Sequence, residues 1–132
     1  MACGIDFTLA LDDAGRIYSW GNNSFGQLGI PSLKSVNSPK QIEYLANEEI
    51  VDISCGDNFA GAISKSGKVY TWGFGDDGQL GHGDRTDQNV PRPLKFEQSP
   101  KQISCGGAHT AILTQANELY IFGRGREGQI GH

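Results

Sequence analysis

Two stretches of this chain carry the spacing of a dinucleotide-binding fingerprint, G-x-G-x-x-G: Gly73-Phe74-Gly75-Asp76-Asp77-Gly78 and Gly123-Arg124-Gly125-Arg126-Glu127-Gly128. That chemistry needs a helix after the glycines, so that free backbone N–H groups and the helix dipole meet a pyrophosphate. Gln79-Leu80-Gly81-His82-Gly83 follows instead, a run too rich in glycine to start a stable helix. Asp76 and Asp77 would also repel phosphate. The matching stretch 21–26, Gly21-Asn22-Asn23-Ser24-Phe25-Gly26, lacks the middle glycine. No nucleotide site, and no other cofactor or small-molecule substrate, is expected.

The remaining reactive side chains lead to the same conclusion. Cys3, Cys55 and Cys105 are 52 and 50 residues apart, with no C-x-x-C pair and no H-x-x-x-H nearby, which is poor metal-ligand spacing. Buried free thiols are expected, favouring a reducing, intracellular setting, cytoplasmic or nuclear. His109 has no paired serine or cysteine nucleophile, and Phe7 and Phe59 stand at the matching places elsewhere in the chain. A structural ring is therefore expected there. Asn22-Asn23-Ser24 matches a glycosylation sequon, but no secretory start is present. Neither is there a run of ~18 apolar residues to cross a membrane. A formal net charge of -4, from 11 basic and 15 acidic residues, argues against direct nucleic-acid binding through the bulk of the chain.

Those comparisons already rest on repetition. Cys3-Gly4, Cys55-Gly56 and Cys105-Gly106 each lie 17 positions before an aromatic-glycine pair: Trp20-Gly21, Trp72-Gly73 and Phe122-Gly123. Six positions beyond each aromatic begins Gly26-Gln27-Leu28-Gly29, Gly78-Gln79-Leu80-Gly81 or Gly128-Gln129-Ile130-Gly131. A period near 50 residues marks one supersecondary unit repeated in space. The copies run approximately over 3–54, 55–104 and 105–132. All 19 glycines lie within 4–29, 56–83 and 106–131, and all five prolines lie in the connecting stretches. Each unit thus has a turn-dense half and a stiffer half.

Short runs of β-branched and aromatic residues fill the intervals: Thr8–Leu11, Ala60–Ile63 and Thr110–Leu113, then Arg16–Trp20, Lys68–Trp72 and Glu118–Phe122. Tight turns ending in Gly15, Gly67 and Asn117 separate them, with Asn as the best non-glycine substitute at positive φ. Further strands are expected over Gln41–Tyr44 and Arg92–Phe96, then over Ile50–Cys55 and Lys101–Cys105, with one turn of helix near 45–49. Four short antiparallel strands per ~50 residues is the arithmetic of a β-propeller blade. The expected fold is all-β, a single partial propeller over 1–132. It comprises two complete four-stranded blades and one incomplete blade, needing further repeats or another chain to close it.

The combination C-G-x-x-(F/H)-(T/A), an aliphatic-Tyr-x-Trp-Gly strand and G-Q-L-G resembles the repeat of the regulator of chromosome condensation family, over nearly the whole chain. The resemblance implies blades of a seven-bladed propeller. The founding member is a nucleotide exchange factor for the small GTPase Ran, docked on chromatin; many relatives serve as protein-interaction domains. The family often has His where Phe7 and Phe59 stand here, and Trp where Phe122 stands. Fold alone does not set function.

With strands running up and down, the Cys-Gly turns and the loops after aromatic-Gly emerge on one face. That face should carry Asn22, Asn23, Asp57, Asp76, Asp77, Asp84, Arg85, Arg124, Arg126 and Glu127. Neutral, acidic and basic tips then follow one another on a constant frame, as in binding folds. The expected function is non-catalytic capture of a protein partner through this face. The alternatives are membership of a guanine nucleotide exchange factor for a Ran-like GTPase, or a chromatin-associated module.

Overall fold

The computed structural model describes residues 1–123 and 126–131, with side chains through 123. It is built from twelve strands: β1 (Ala2–Cys3), β2 (Phe7–Leu11), β3 (Ile17–Gly21), β4 (Val36–Gln41), β5 (Ile50–Cys55), β6 (Phe59–Ser64), β7 (Val69–Gly73), β8 (Gln88–Pro93), β9 (Pro100–Cys105), β10 (His109–Thr114), β11 (Leu119–Gly123) and β12 (Arg126–Gly131). They form three four-stranded sheets in simple sequence order, β1–β4, β5–β8 and β9–β12, with antiparallel neighbours. The propeller-blade expectation is met.

The 17-residue interval has a direct geometric meaning. Cys3 pairs with Thr8 and Thr8 with Trp20; Cys55 pairs with Ala60 and Ala60 with Trp72; Cys105 pairs with Thr110 and Thr110 with Phe122. Each cysteine and its aromatic therefore lie in one transverse row across three strands. Because side chains alternate between faces with period two, each row points one way, and in the second and third sheets that is toward the preceding sheet. Adding or deleting one residue in this interval would turn the aromatic away from that sheet.

The core lies between the sheets. Phe7, Leu9, Ile17 and Leu28 of the first unit pack on Ala60, Ala62, Tyr70 and Trp72 of the second. Ile63, Val69 and Leu94 pack on Ile103 and Ile112 of the third. Strand β6 is buried on both faces over its full length, which is why its alternation is hidden in sequence.

Three details differ from the sequence expectation. The outer strands are Val36–Gln41 and Gln88–Pro93, about five residues earlier than expected, and Glu43–Leu45 forms a 3-10 turn. Pro39, Pro91 and Pro93 lie inside these strands, tolerated because an outer edge has no partner for a lost N–H. Sheet boundaries fall at 2–41, 50–93 and 100–131, so Ile50–Cys55 and Pro100–Cys105 open their sheets as innermost strands. Finally, the third sheet has a fourth strand. Residues 126–131 pair with β11, supplying partners for a row of backbone groups that would otherwise form a bare edge.

The hairpin turns match their sequence reading. Gly15, Gly67 and Asn117 take φ of 81°, 91° and 62°. Asp12, Ser64 and Thr114 begin the turns, and their side chains accept the amides of Arg16 (2.9 Å), Lys68 (3.1 Å) and Glu118 (3.0 Å). A Cβ at position 67 would meet nothing nearer than Pro100 Cδ at 4.0 Å, whereas one at position 15 would lie 2.9 Å from Glu49 Cα. Gly67→Ala therefore isolates the backbone cost and should lower stability by about 1–2 kcal/mol. Gly67→Asn should cost clearly less, and Gly15→Ala more. Denaturant midpoints at constant slope measure all three.

Candidate functional site

One end of the three sheets carries the turns 4–6, 56–58 and 106–108 together with the long loops 22–35 and 74–87. Backbone bonds tie these segments to each other: Asn22 N to Asp6 O (2.7 Å), Phe74 N to Asn58 O (2.9 Å) and, across sheets, Ile5 N to Asp57 O (2.8 Å). The opposite end is closed by separate bonds, Ile50 N to Gly15 O (3.0 Å), Lys65 N to Glu49 O (2.7 Å) and Gln115 N to Ser99 O (2.8 Å). The two ends are where the strand alternation places them.

The Gly-Gln-Leu-Gly segments anchor the long loops. Gln27 and Gln79 accept the amides of Phe25 (2.8 Å) and Asp77 (2.9 Å) on their Oε1 atoms, holding a tight loop. Leu28 O and Leu80 O accept hydroxyls from their own sheets, Ser19 at 2.8 Å and Thr71 at 2.7 Å. Gln27 O and Gln79 O accept from the next sheet, from Trp72 Nε1 (3.0 Å) and Thr110 Oγ1 (2.7 Å). The final glycines permit that approach: a Cβ on Gly29 would lie 2.9 Å from Trp72 Nε1, and one on Gly81 3.1 Å from Phe122 Cγ.

The fingerprint spacing at 73–78 now has a structural origin. A Cβ on Gly75 would collide with Thr86 O, where the loop folds back on itself, and Gly75 N donates to Asp87 Oδ1 at 2.9 Å. Asp87 braces this loop from its far end. In the first unit Ser35 Oγ accepts the matching amide, Asn23 N, at 3.3 Å, and the Asn23 side chain adds its own bonds. Its Nδ2 donates to Ser32 O (2.7 Å) and Lys34 O (3.1 Å), and its Oδ1 accepts from Leu28 N (3.0 Å).

Asn23 is fully buried. This corrects its placement among the tips: the short polar side chain replaces missing backbone partners instead of facing solvent. Asn22 is half-buried and folds its own turn, with Oδ1 accepting from Ser24 N and Oγ at 3.0 and 2.8 Å. Asp57, Asp76, Asp84 and Arg85 are exposed, and Asp77 is half-buried. Asp84 accepts from Thr86 N (3.1 Å) and from Arg92 (3.3 Å). The Thr86 amide, followed by that guanidinium, holds its carboxyl below the usual range. Arg126 and Glu127 fall in the outer strand β12, a correction to their loop placement that follows from pairing along β11. Arg124 lies outside the described residues.

What the face brings together is a cleft of about 320 Å³ between the second and third sheets, lined by Asp57, Asn58, Phe74, Asp77, Gln79, Gly107 and Ala108. Gly107 and Ala108 are small where the first boundary has Asp57 and Asn58 facing Ile5 and Asp6, and a Cβ at 107 would already lie 3.3 Å from Asp57 Oδ2. Phe74 forms one wall. Its ring meets Phe25 edge-on across the first sheet boundary, with centroids 4.9 Å apart. Neither phenylalanine stood out in sequence, because each sits where another copy has a polar residue: Asn22 for Phe74, Asp77 for Phe25. That exchange was the available signal.

Two of the three thiols are poor nucleophiles: burial pushes Cys105 up to about 12 and raises Cys55 further. Cys105 and Cys55 are half-buried, while Cys3 is exposed on the first sheet. Among the described residues no group of three or more His, Cys, Asp or Glu could hold a metal ion, and no helix is long and apolar enough to cross a membrane. His82 is strongly shifted. Thr71 Oγ1 lies 2.8 Å from its Nε2. As the Thr71 hydroxyl already donates to Leu80 O, Nε2–H is the donor. Burial, aided by Arg92, pulls its pKa from 6.5 to about 4.

Comparison with known proteins follows the same register. Profiles described as the regulator of chromosome condensation (RCC1) repeat match residues 14–63 and 66–113, and a second profile of that description matches 50–79 and 101–129. The chain is 43% identical over 86 residues to the E3 ubiquitin-protein ligase HERC2 of Homo sapiens, covering 65% of this chain and 2% of that protein. It is 37% identical over 88 residues to the ultraviolet-B receptor UVR8 of Arabidopsis thaliana, covering 67% and 20%. Among solved structures, human WBSCR16 superposes with a TM-score of 0.84 at 31% identity, covering 92% of this chain and 31% of that one. Prp20p of Saccharomyces cerevisiae, studied for its binding to Gsp1p and histones, gives 0.78 at 26% identity, covering 94% and 32%. The chain thus spans a fifth or less of these curated relatives.

The His82 geometry sets a pH response. The unfolded chain protonates this ring near pH 6.5 and the folded chain near pH 4. Between those values the unfolded state binds more protons, so stability rises with pH across that window and is lost as pH falls through it. His82→Gln keeps a donor for Thr71 but cannot titrate. Melting curves from pH 4 to 6.5 should show a shallower slope in the variant; equal slopes would assign the effect to other groups.

Proposed function

Since this chain belongs to the regulator of chromosome condensation repeat family, we propose that it is a non-catalytic propeller segment that captures a protein partner through its loop-bearing face. The supporting observation is the cleft between the second and third sheets. Its frame is made by contacts that repeat from unit to unit, while its lining differs from unit to unit. Asp57, Asp76 and Asp77 make this part of the face acidic, and the Phe74 ring adds an apolar wall. A cationic side chain carried on an apolar stem suits that combination, through charge and through the ring face together. The relatives include a named E3 ubiquitin-protein ligase and a serine/threonine-protein kinase.

A second reading draws on Prp20p, which was studied for its binding to Gsp1p and histones. A Ran-like GTPase would then be the protein partner, and binding its nucleotide-free form more tightly would speed nucleotide release. The acidic cleft favours a basic surface of such a partner over direct contact with DNA.

Affinity isolation with the chain, identification by mass spectrometry and titration with the purified partner test the first reading. Asp57→Asn with Asp77→Asn, and Phe74→Ala separately, should each weaken binding by roughly tenfold, equivalent to about 1.4 kcal/mol. Near-ultraviolet dichroism should stay unchanged. Full affinity in both variants would move the contact to another face. Release of a fluorescent guanine nucleotide from a Ran-like GTPase, with and without the protein, decides the second reading.

A further inference from the structure

Gln27 and Gln79 build the same loop with their oxygens and differ in what the side-chain nitrogen meets. In each, the main-chain oxygen accepts a donor from the next sheet, and Oε1 accepts an amide of its own loop. Those bonds fix which end of the carboxamide is oxygen and leave Nε2 as a donor. At the first boundary Gln27 Nε2 is buried without a partner. Asp57 and Asn58 of the second sheet stand there; at the second boundary Gly107 and Ala108 occupy the matching positions. Gln79 lines the cleft of about 320 Å³ while remaining only 1% exposed. Among the described residues no acceptor is bonded to its Nε2. The donor left over inside the frame at one boundary meets open space at the other.

Depth sorts the chemistry of this cleft. Gln79 is buried at its floor, Phe74 is half-buried on its wall, and Asp57 is exposed at its rim. Asp57 Oδ2 overhangs Gly107, 3.3 Å from where a Cβ would stand. A donor below and a carboxylate above limit what fits between them. A guanidinium or ammonium pushed to the floor would set donors against a donor. A carboxylate would accept from Gln79 but meet the negative charge of Asp57. An apolar group would desolvate Nε2 and return no bond. A neutral carboxamide meets both demands, its oxygen accepting from Gln79 Nε2 and its NH2 donating to Asp57.

We propose that the floor of this cleft reads a side-chain carboxamide, a glutamine of the partner, set beside a basic residue that stays at the rim. The basic residue lies over Phe74 with its charge near Asp57 and the exposed Asp76. The inference rests on the partner reading above and adds the group that confers selectivity. Charge at the rim draws in any basic segment, whereas the paired donor and acceptor below favour one that carries a carboxamide.

Three short peptides, titrated into the unmodified chain and followed by NMR, test this. Acetyl-Arg-Gln-Arg N-methylamide should bind about tenfold more tightly than the same peptide with glutamate or norvaline at its centre. The side-chain NH2 resonances of Gln79 should shift with the glutamine peptide and not with the norvaline peptide. Gln79→Glu keeps an oxygen for the Asp77 amide and removes the donor. In that variant the preference for glutamine over norvaline should fall to about one. The peptide ratio and the NH2 shift decide the matter on the unmodified chain even where the variant is unstable. Equal binding of the glutamine and norvaline peptides, or a preference that survives in folded Gln79→Glu, overturns the carboxamide site and leaves the cationic reading of the face in place. Failure of all three peptides to bind overturns both.

Discussion

The structure depends on one transfer of hydrogen bonds between neighbouring sheets. A turn in one unit leaves the carbonyl of Gln27 or Gln79 pointing out of its own sheet, and the next unit must answer it with a donor. Trp72 does so through its indole and Thr110 through its hydroxyl. Both donors belong to the transverse row that runs from the inner-strand cysteine to the third-strand aromatic. A buried carbonyl left without its donor costs more than the bond itself contributes. The row must therefore arrive in register, and the interval from cysteine to aromatic is held at 17 residues while the interval between copies drifts from 52 to 50. The drift falls in the outer half of the unit, where the chain meets solvent.

This separation explains what could be read in the sequence. Elements fixed by the row, such as the central strands and the turns at Gly15, Gly67 and Asn117, were legible because their spacing and φ demands leave a residue-level mark. Asn117 is the clearest case: one departure from glycine, chosen by the same backbone angle. The outer strands were not legible. Val-Asn-Ser-Pro-Lys-Gln and Gln-Asn-Val-Pro-Arg-Pro pack little on either side and include prolines, so the hydrophobic runs beyond them, Gln41–Tyr44 and Arg92–Phe96, drew the assignment downstream. Ile42 and Leu94 in those runs are buried, but they seal the connection between sheets instead of extending a strand.

The candidate site divides along similar lines. Charged tips such as Asp57 and Asp76 are visible from their position alone, since a carboxylate on a glycine-rich loop has little reason to be buried. Asn23 was misleading because a short amide serves equally as a solvent-facing tip or as an internal brace. Its role depended on which main-chain groups the loop left without partners, a property of the folded path. Phe74 was hidden because another copy has the polar Asn22 at its position, and only the small residues at 107 and 108 from the next unit leave its wall of the cleft uncovered.

The buried polar residues hold the frame on which the proposed recognition surface is displayed. Ser19, Thr71, Thr110, Asn23, Gln27 and Gln79 are all buried, and each reaches a main-chain atom. Catalysis needs such groups aimed at a shared point where charge develops. Here they are spent on the backbones of two separate loops, Ser19, Asn23 and Gln27 on 22–35 and Thr71, Gln79 and Thr110 on 74–87. Gln27 Nε2 is the single described side-chain atom buried without a partner, and its own Oε1 and main-chain oxygen are both engaged in holding the loop. Because the polar interior fixes the turns, the positions between them tolerate different residues: Ser24 and Asp76, Asn22 and Phe74, Phe25 and Asp77 differ between copies while the path of the chain stays the same. A surface whose chemistry changes over a constant backbone gives selectivity for one partner without altering the fold that displays it.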